Sequence, residues 1–116
     1  MGLAQAGGVT YSNLAADETL VQVIAASVLL FNLNCYNPDA GDAAFVQFFD
    51  ALAADVTLGS TDPKFVLSLP SGGGIDTANV LPKSFRTALT YAVTSQPMGT
   101  DAPSTECIVQ LDYVGG

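Results

Sequence analysis

Several side chains in this chain are of types that could do chemistry, and their spacing decides how far each could go. Asn37, Asp39 and Asp42 fall within one turn, Asn37-Pro38-Asp39-Ala40-Gly41-Asp42. Three oxygen-bearing side chains so close together could hold Ca²⁺, but an EF-hand loop needs a terminal Glu at a fixed position, and none is present. Asn and Asp are also the ordinary residues of turns, so a turn without a metal is the expectation. Ser71-Gly72-Gly73-Gly74 follows an apolar run as a phosphate loop would. It lacks the Lys-Ser/Thr pair that completes such a loop, and no helical pattern follows it. A strand-to-strand turn is expected there. Eleven acidic residues offer carboxylate pairs for glycoside hydrolysis, but they are scattered over loops and the chain has no Trp to stack on sugar.

The chain contains no His, which removes Ser-His, Cys-His and His-metal mechanisms together. Catalysis would have to rest on carboxylates, Tyr, Lys or Cys, and no arrangement of these stands out. The chain is therefore not expected to be an enzyme, and no cofactor, metal or catalytic residue is assigned. Cys35 and Cys107 are too few for a disulfide framework. Both lie in the apolar phase of their segments, so two buried, unbridged thiols are expected.

Composition narrows the partners. Eleven acidic residues stand against Lys64, Lys83 and Arg86, giving a net charge of −8. Nucleic-acid binding requires a cationic surface, so no nucleic acid is expected. The longest apolar stretch, from Leu20 to Leu33, is too short and too polar to cross a bilayer, so no membrane is expected. The Met1 end has no basic segment of the kind that opens a signal peptide. A myristoylation motif would want Ser or Thr where Ala6 stands.

The elements that would position these residues are strands. With 116 residues, 49% of them apolar, the chain suits one folded domain. The organising stretch is Ser27 to Asp50. Val28 to Tyr36 alternates, with Leu29, Phe31, Leu33 and Cys35 in one phase and Asn32, Asn34 and Tyr36 in the other, the signature of a half-buried strand. The turn at Asn37–Asp42 leads to a second strand, Ala44 to Asp50. A helix over Asp42 to Ala54 competes, because Phe45, Phe48, Phe49 and Leu52 stand at helical spacing. The aromatic and β-branched Phe-Val-Gln-Phe-Phe favours the strand, with a helical turn possible only at Ala51–Ala54.

Further strands are expected at Thr19–Ala25, Lys64–Leu69, Ile75–Val80, Phe85–Thr94 and Thr105–Val114. In the long Phe85–Thr94 run, Thr87, Leu89, Tyr91 and Val93 share a phase. In the last strand Cys107, Val109, Leu111 and Tyr113 face inward. Residues 1–17 show no sustained period and read as a loosely ordered N-terminal arm. The expected architecture is thus an all-β antiparallel sandwich, or a jelly-roll-like barrel, of about seven to eight strands over residues 18–116. If Val46 and Phe48 face its core, then Phe45, Gln47 and Phe49 face outward and form a candidate interface. The alternative is that both faces of that strand are buried beneath a covering loop.

The run FVQFFDA, then STDPKFVLSLPSGGGID, then SFRTALTYAVTS, then a closing CIVQLDY resembles small β-sandwich proteins of tailed-bacteriophage virions. Such proteins show a "YVQLYD"-like strand, a "TPVLSLPVPAGG"-like strand and turn, and an "F..GLSYAVTT"-like strand. The likeness spans roughly residues 27 to 114. It departs from the pattern at Arg86–Leu89, where a Gly is expected. It implies a structural role in the virion: a capsid decoration (cement) protein on the outer shell, contacting the major capsid protein or other virion proteins. It also implies a homo-oligomer, trimeric or otherwise. A neck or tail adaptor, or a fibre-attachment component, is the alternative within the same particle. A carbohydrate-binding β-sandwich, with Tyr36, Tyr91 and Tyr113 stacking on sugars, is the alternative of another class.

Overall fold

Alternation of apolar and polar residues, broken by Gly, Pro and Asp turns, produces an antiparallel β-sandwich. The computed structural model describes residues 8–74 and 81–115. Among them are nine strands: β1 (Val9–Ala16), β2 (Val21–Ile24), β3 (Val28–Asn37), β4 (Ala44–Phe49), β5 (Phe65–Leu69), β6 (Gly73–Gly74), β7 (Lys83–Phe85), β8 (Leu89–Thr94) and β9 (Cys107–Gly115). The strand expected at 75–80 and the first seven residues of the expected arm lie outside the described residues. One sheet runs β1-β9-β3, with β6 and β7 both pairing to the far side of β3; the other runs β2-β8-β4-β5. Every pairing is antiparallel.

The core lies between the sheets. Leu30, Leu33, Cys35, Val109 and Leu111 meet Val46, Phe48, Leu69, Tyr91 and Val93 there, all buried. Burying an aliphatic or aromatic side chain of this kind contributes about 1.5–3 kcal/mol, so the alternation that delivers them inward is the main source of stability. In β5 and β9 the inward sets are as expected: Leu67 and Leu69 in one, Cys107, Val109, Leu111 and Tyr113 in the other.

Three strand expectations are corrected. First, residues 9–16, expected within a loose arm, form β1 and pair with β9. The polar Asn13 disguised the pattern: it faces inward opposite Val109, and its Nδ2 donates to Tyr91 Oη at 2.9 Å. Tyr11 and Tyr91 hydroxyls also meet at 2.8 Å.

Second, the first half of β3 has the opposite phase. Leu30 pairs with Tyr113 and Asn32 with Asp112, adjacent residues of β9, so Phe31 is an extra residue in a β-bulge. Val28 and Leu30 are therefore buried, while Phe31 is 40% exposed.

Third, the expected Phe85–Thr94 strand is broken. β7 belongs to one sheet and β8 to the other, and Arg86–Ala88 carry the chain between them. The Asp50 carboxylate holds this crossing by accepting the backbone N–H groups of Arg86, Thr87 and Ala88 at 2.8–3.3 Å. Those donors have left one ladder before joining the next, and a charged acceptor satisfies them.

The edge strands β5 and β7 are joined by aromatic and cationic side chains. Phe65 stacks on Phe48 at 4.7 Å and approaches Phe85 at 6.2 Å. Lys64 Nζ lies 5.8 Å from the Phe85 ring centre and Lys83 Nζ lies 5.6 Å from that of Phe65, so each lysine covers the ring beside the other.

Candidate functional site

The candidate interface was expected at Phe45, Gln47 and Phe49, on the outward phase of β4. They do share that phase, but of the two readings of this strand the exposed one is corrected and the other holds, both faces lying beneath cover: Gln47 and Phe49 are each 1% exposed and Phe45 is half-buried. The cause is a covering layer made by the loops after β4 and β8. Thr90 Oγ1 donates to Ala51 O at 2.7 Å, and Gln47 Nε2 donates to Thr94 Oγ1 at 2.8 Å and to Gly99 O at 3.2 Å. Gly59 of the first loop approaches Thr100 of the second. Phe49 and Gln47 thus belong to a second, thinner core on the outer side of the β2-β8-β4-β5 sheet, and β8 is buried on both faces for the same reason. Gln47 Oε1 has no partner among the described residues. Phe45 alone of the three reaches a cleft, of about 420 Å³, lined also by Asp42, Ala43, Ser95, Gln96 and Ser104.

The oxygens of the Asn37–Asp42 turn are directed at the protein's own donors. Asn37 is buried and its Oδ1 accepts from Asp39 N at 3.0 Å, while its Nδ2 donates to Asp42 O at 2.8 Å. Asp39 Oδ2 accepts from Gly41 N and Asp42 N, and its Oδ1 from Thr105 Oγ1 at 2.7 Å. Asp42 Oδ2 accepts from Ser104 Oγ at 2.7 Å. The Thr105 hydroxyl, with the Asp42 and Gly41 N–H groups, holds the Asp39 carboxyl below its ordinary pKa. This is an Asx-type turn that pins the β3–β4 connection to the segment before β9. Ser71–Gly74 is the expected strand-to-strand turn: Gly73 N donates to Pro70 O, and Gly72 has φ +61°, which a side chain would resist.

Both cysteines are free and buried. Burial pushes the Cys35 thiol up to about 12, and Cys107 adds to the effect. Burial, with Asp39 nearby, pushes Cys107 up to about 11. Both are protonated at neutral pH and poor nucleophiles. Of the three tyrosines considered for sugar stacking, Tyr91 and Tyr113 are buried, at 0% and 8%, and Tyr36 is exposed at 41%. Burial, then the Tyr11 hydroxyl, raises the Tyr91 pKa.

Among the described residues, two surfaces stand out. The first is the outer edge of β1, eight residues without a charge or a proline that pair with no second strand among the described residues; its register with β9 is regular from Val9 to Asn13 and shifts before Ala16. It carries Leu14, 71% exposed, and Val9, 50% exposed. Long, uncharged edges are templates for pairing, and proteins commonly protect them with Lys or Pro. The second is the outward face of the β1-β9-β3 sheet. Thr10, Asp112 and Asn32 stand side by side across its three strands, and Ser12, Gln110 and Asn34 form the next row.

No family model, curated protein or solved structure matches this chain.

Proposed function

We propose that this chain is a non-enzymatic structural protein of a tailed-bacteriophage virion, a capsid decoration protein that binds the outer shell and stabilises it. One observation carries the reading. The three segments that resemble such proteins, FVQFFD, FVLSLPSGGG and LTYAVT, fold as β4, β5 with its turn, and β8. In the sheet order β2-β8-β4-β5 they are direct neighbours. A resemblance scattered along the sequence therefore concentrates in one continuous piece of sheet.

The surface chemistry agrees with a scaffold that docks. The carboxylates of Asp39, Asp50 and Asp112 serve as acceptors for the protein's own backbone and side chains. The β1 edge is the surface to which we assign contact with a neighbouring virion protein, or with another copy of the chain.

Quantitative mass spectrometry of purified particles tests the proposal. Hundreds of copies per particle are expected of a decoration protein. About a dozen or fewer would instead favour the neck or tail reading, and absence from particles would reject both.

A further inference from the structure

The outward face of the β1-β9-β3 sheet carries two rows of side-chain hydrogen bonds that cross its three strands. Residues two apart on a strand share a face, so the antiparallel register stacks polar side chains in rows across the strands. In one row Thr10 Oγ1 donates to Asp112 Oδ1, and Asn32 Nδ2 donates to Asp112 Oδ2 at 2.8 Å. In the next, Asn34 Nδ2 donates to Gln110 Oε1 at 3.1 Å, and Gln110 Nε2 donates to Ser12 Oγ at 3.1 Å.

An aromatic ring flanks the two rows on each side. Tyr36, 41% exposed, lies one step beyond Asn34 on β3, beside Ile108 of β9. On the other side Phe31, 40% exposed in the bulge next to the Asn32 row, reaches toward Gly8 past Tyr113 of β9. A Cβ at Gly8 would come within 3.0 Å of the Phe31 ring and 2.5 Å of Tyr113 O, so the close approach depends on glycine. At about 3.4 Å per residue, Tyr36 stands about 14 Å from the Asn32 row.

The composition selects the ligand. Asp112 is the one charged side chain in the two rows, and Thr10 and Asn32 already hold it. A polyanion finds no cation here, and a lipid surface would leave the amides desolvated. A chain of hydroxyl-bearing rings fits both features. Primary amides both donate and accept, as hydroxyls do, and an aromatic face packs against the C–H side of a sugar ring. The ladder uses one N–H of Asn32 and one of Asn34, and fixes both amide planes beforehand, which lowers the entropy lost on binding. We infer that this face binds a neutral oligosaccharide or polysaccharide, with Tyr36 and Phe31 stacking on sugar rings and the two amide rows meeting their hydroxyls. The inference does not depend on where the protein sits in a particle, because the face is formed by a single chain.

The test uses the intact protein on an array of neutral and acidic glycans, followed by titration of dextran, mannan and any array hit into isotopically labelled protein monitored by NMR. Binding to neutral glycans is expected, with little dependence on salt, and with shifts confined to Thr10, Ser12, Phe31–Tyr36 and Ile108–Asp112. Tyr36→Ala should weaken binding by about tenfold, the scale of one aromatic contact, and Asn34→Ala should also weaken it, both with unchanged melting temperature. The inference is overturned if no glycan binds at millimolar concentration. It is also overturned if binding is confined to acidic glycans, or if the shifts fall elsewhere on the molecule.

Discussion

Asp50 receives the backbone N–H of Arg86 on both of its carboxylate oxygens, each at 3.0 Å. Through that contact, and those to Thr87 and Ala88, a residue at the end of β4 fixes the point where the chain leaves one sheet for the other. Removing the acceptor leaves these donors without their partner. Asp50→Ala should destabilise the fold by about 2 kcal/mol, a fall in Tm of roughly 10 °C, measured by calorimetry. Arg86→Ala should change little, because it is the Arg86 backbone that is held. If Asp50→Ala melts like the parent, the crossing is held by something else.

Acid should unfold the protein through the same carboxylates. Burial raises the Asp50 pKa, but the three N–H groups and Lys64 outweigh it and leave the group below its ordinary value. Thr10, then Asn32, lower Asp112, and Thr105 leads the groups that lower Asp39. A carboxyl whose pKa is lower folded than unfolded adds stability that is complete above the unfolded value and is lost as pH falls through the folded one. Tm should therefore be flat near neutrality and drop below about pH 4, the ordinary carboxylate range. Asp50→Asn should make that drop shallower, and an equally steep drop would remove Asp50 from the account.

The thiols should be inert until the fold opens. Alkylation of the native protein at pH 8 without reductant should add nothing over hours, and unfolding in guanidinium should add two adducts, read by intact mass. Rapid native labelling of either Cys35 or Cys107 would contradict their burial.

Phe49 should behave as core. Its ring is 1% exposed beneath the loop that follows β4, and truncating a buried Phe costs about 3–5 kcal/mol. Phe49→Ala should melt far earlier than the parent, while Phe45→Ala, at the cleft, should melt only slightly earlier. Equal, small effects would return Phe49 to the surface.

The β1 edge should carry association. Leu14→Lys places a charge on the most exposed large apolar side chain of the described residues and on an edge that now has none. Particle binding or oligomerisation should weaken, by sedimentation or light scattering, with Tm unchanged. Unaltered association would move the contact away from this edge.

The legible parts of the fold were those where one strand carries its own evidence. Phe65, Leu67 and Leu69, or Cys107 through Tyr113, alternate cleanly because one face of each strand meets the core. β1 was hidden because Asn13 faces inward and is satisfied by a tyrosine hydroxyl from another strand, which local periodicity cannot reveal. The break at Arg86–Ala88 carries neither Gly nor Pro, because its stability comes from a carboxylate 36 residues away. Phe49 and Gln47 could be read either as surface or as buried beneath a loop, because Leu52 and Val56 of the covering loop follow no period that says which face they pack on. The amide rows were out of reach for a related reason. Thr10 and Asp112 stand 102 residues apart, and Asn32 and Asp112 stand 80 apart, so only the register brings them together.

The bulge in β3 makes that strand one letter longer than its ladder. Leu30 and Asn32 pair with consecutive residues of β9, so a chain shortened by Phe31 would alternate without interruption, Leu30 inward and Asn32 outward. Substitution there changes a side chain, whereas excision would straighten the backbone and leave every pairing in place. Few internal residues of a sandwich can be deleted on those terms. Phe31 thus acts twice, through its half-exposed ring and through the bend that the extra residue puts into β3.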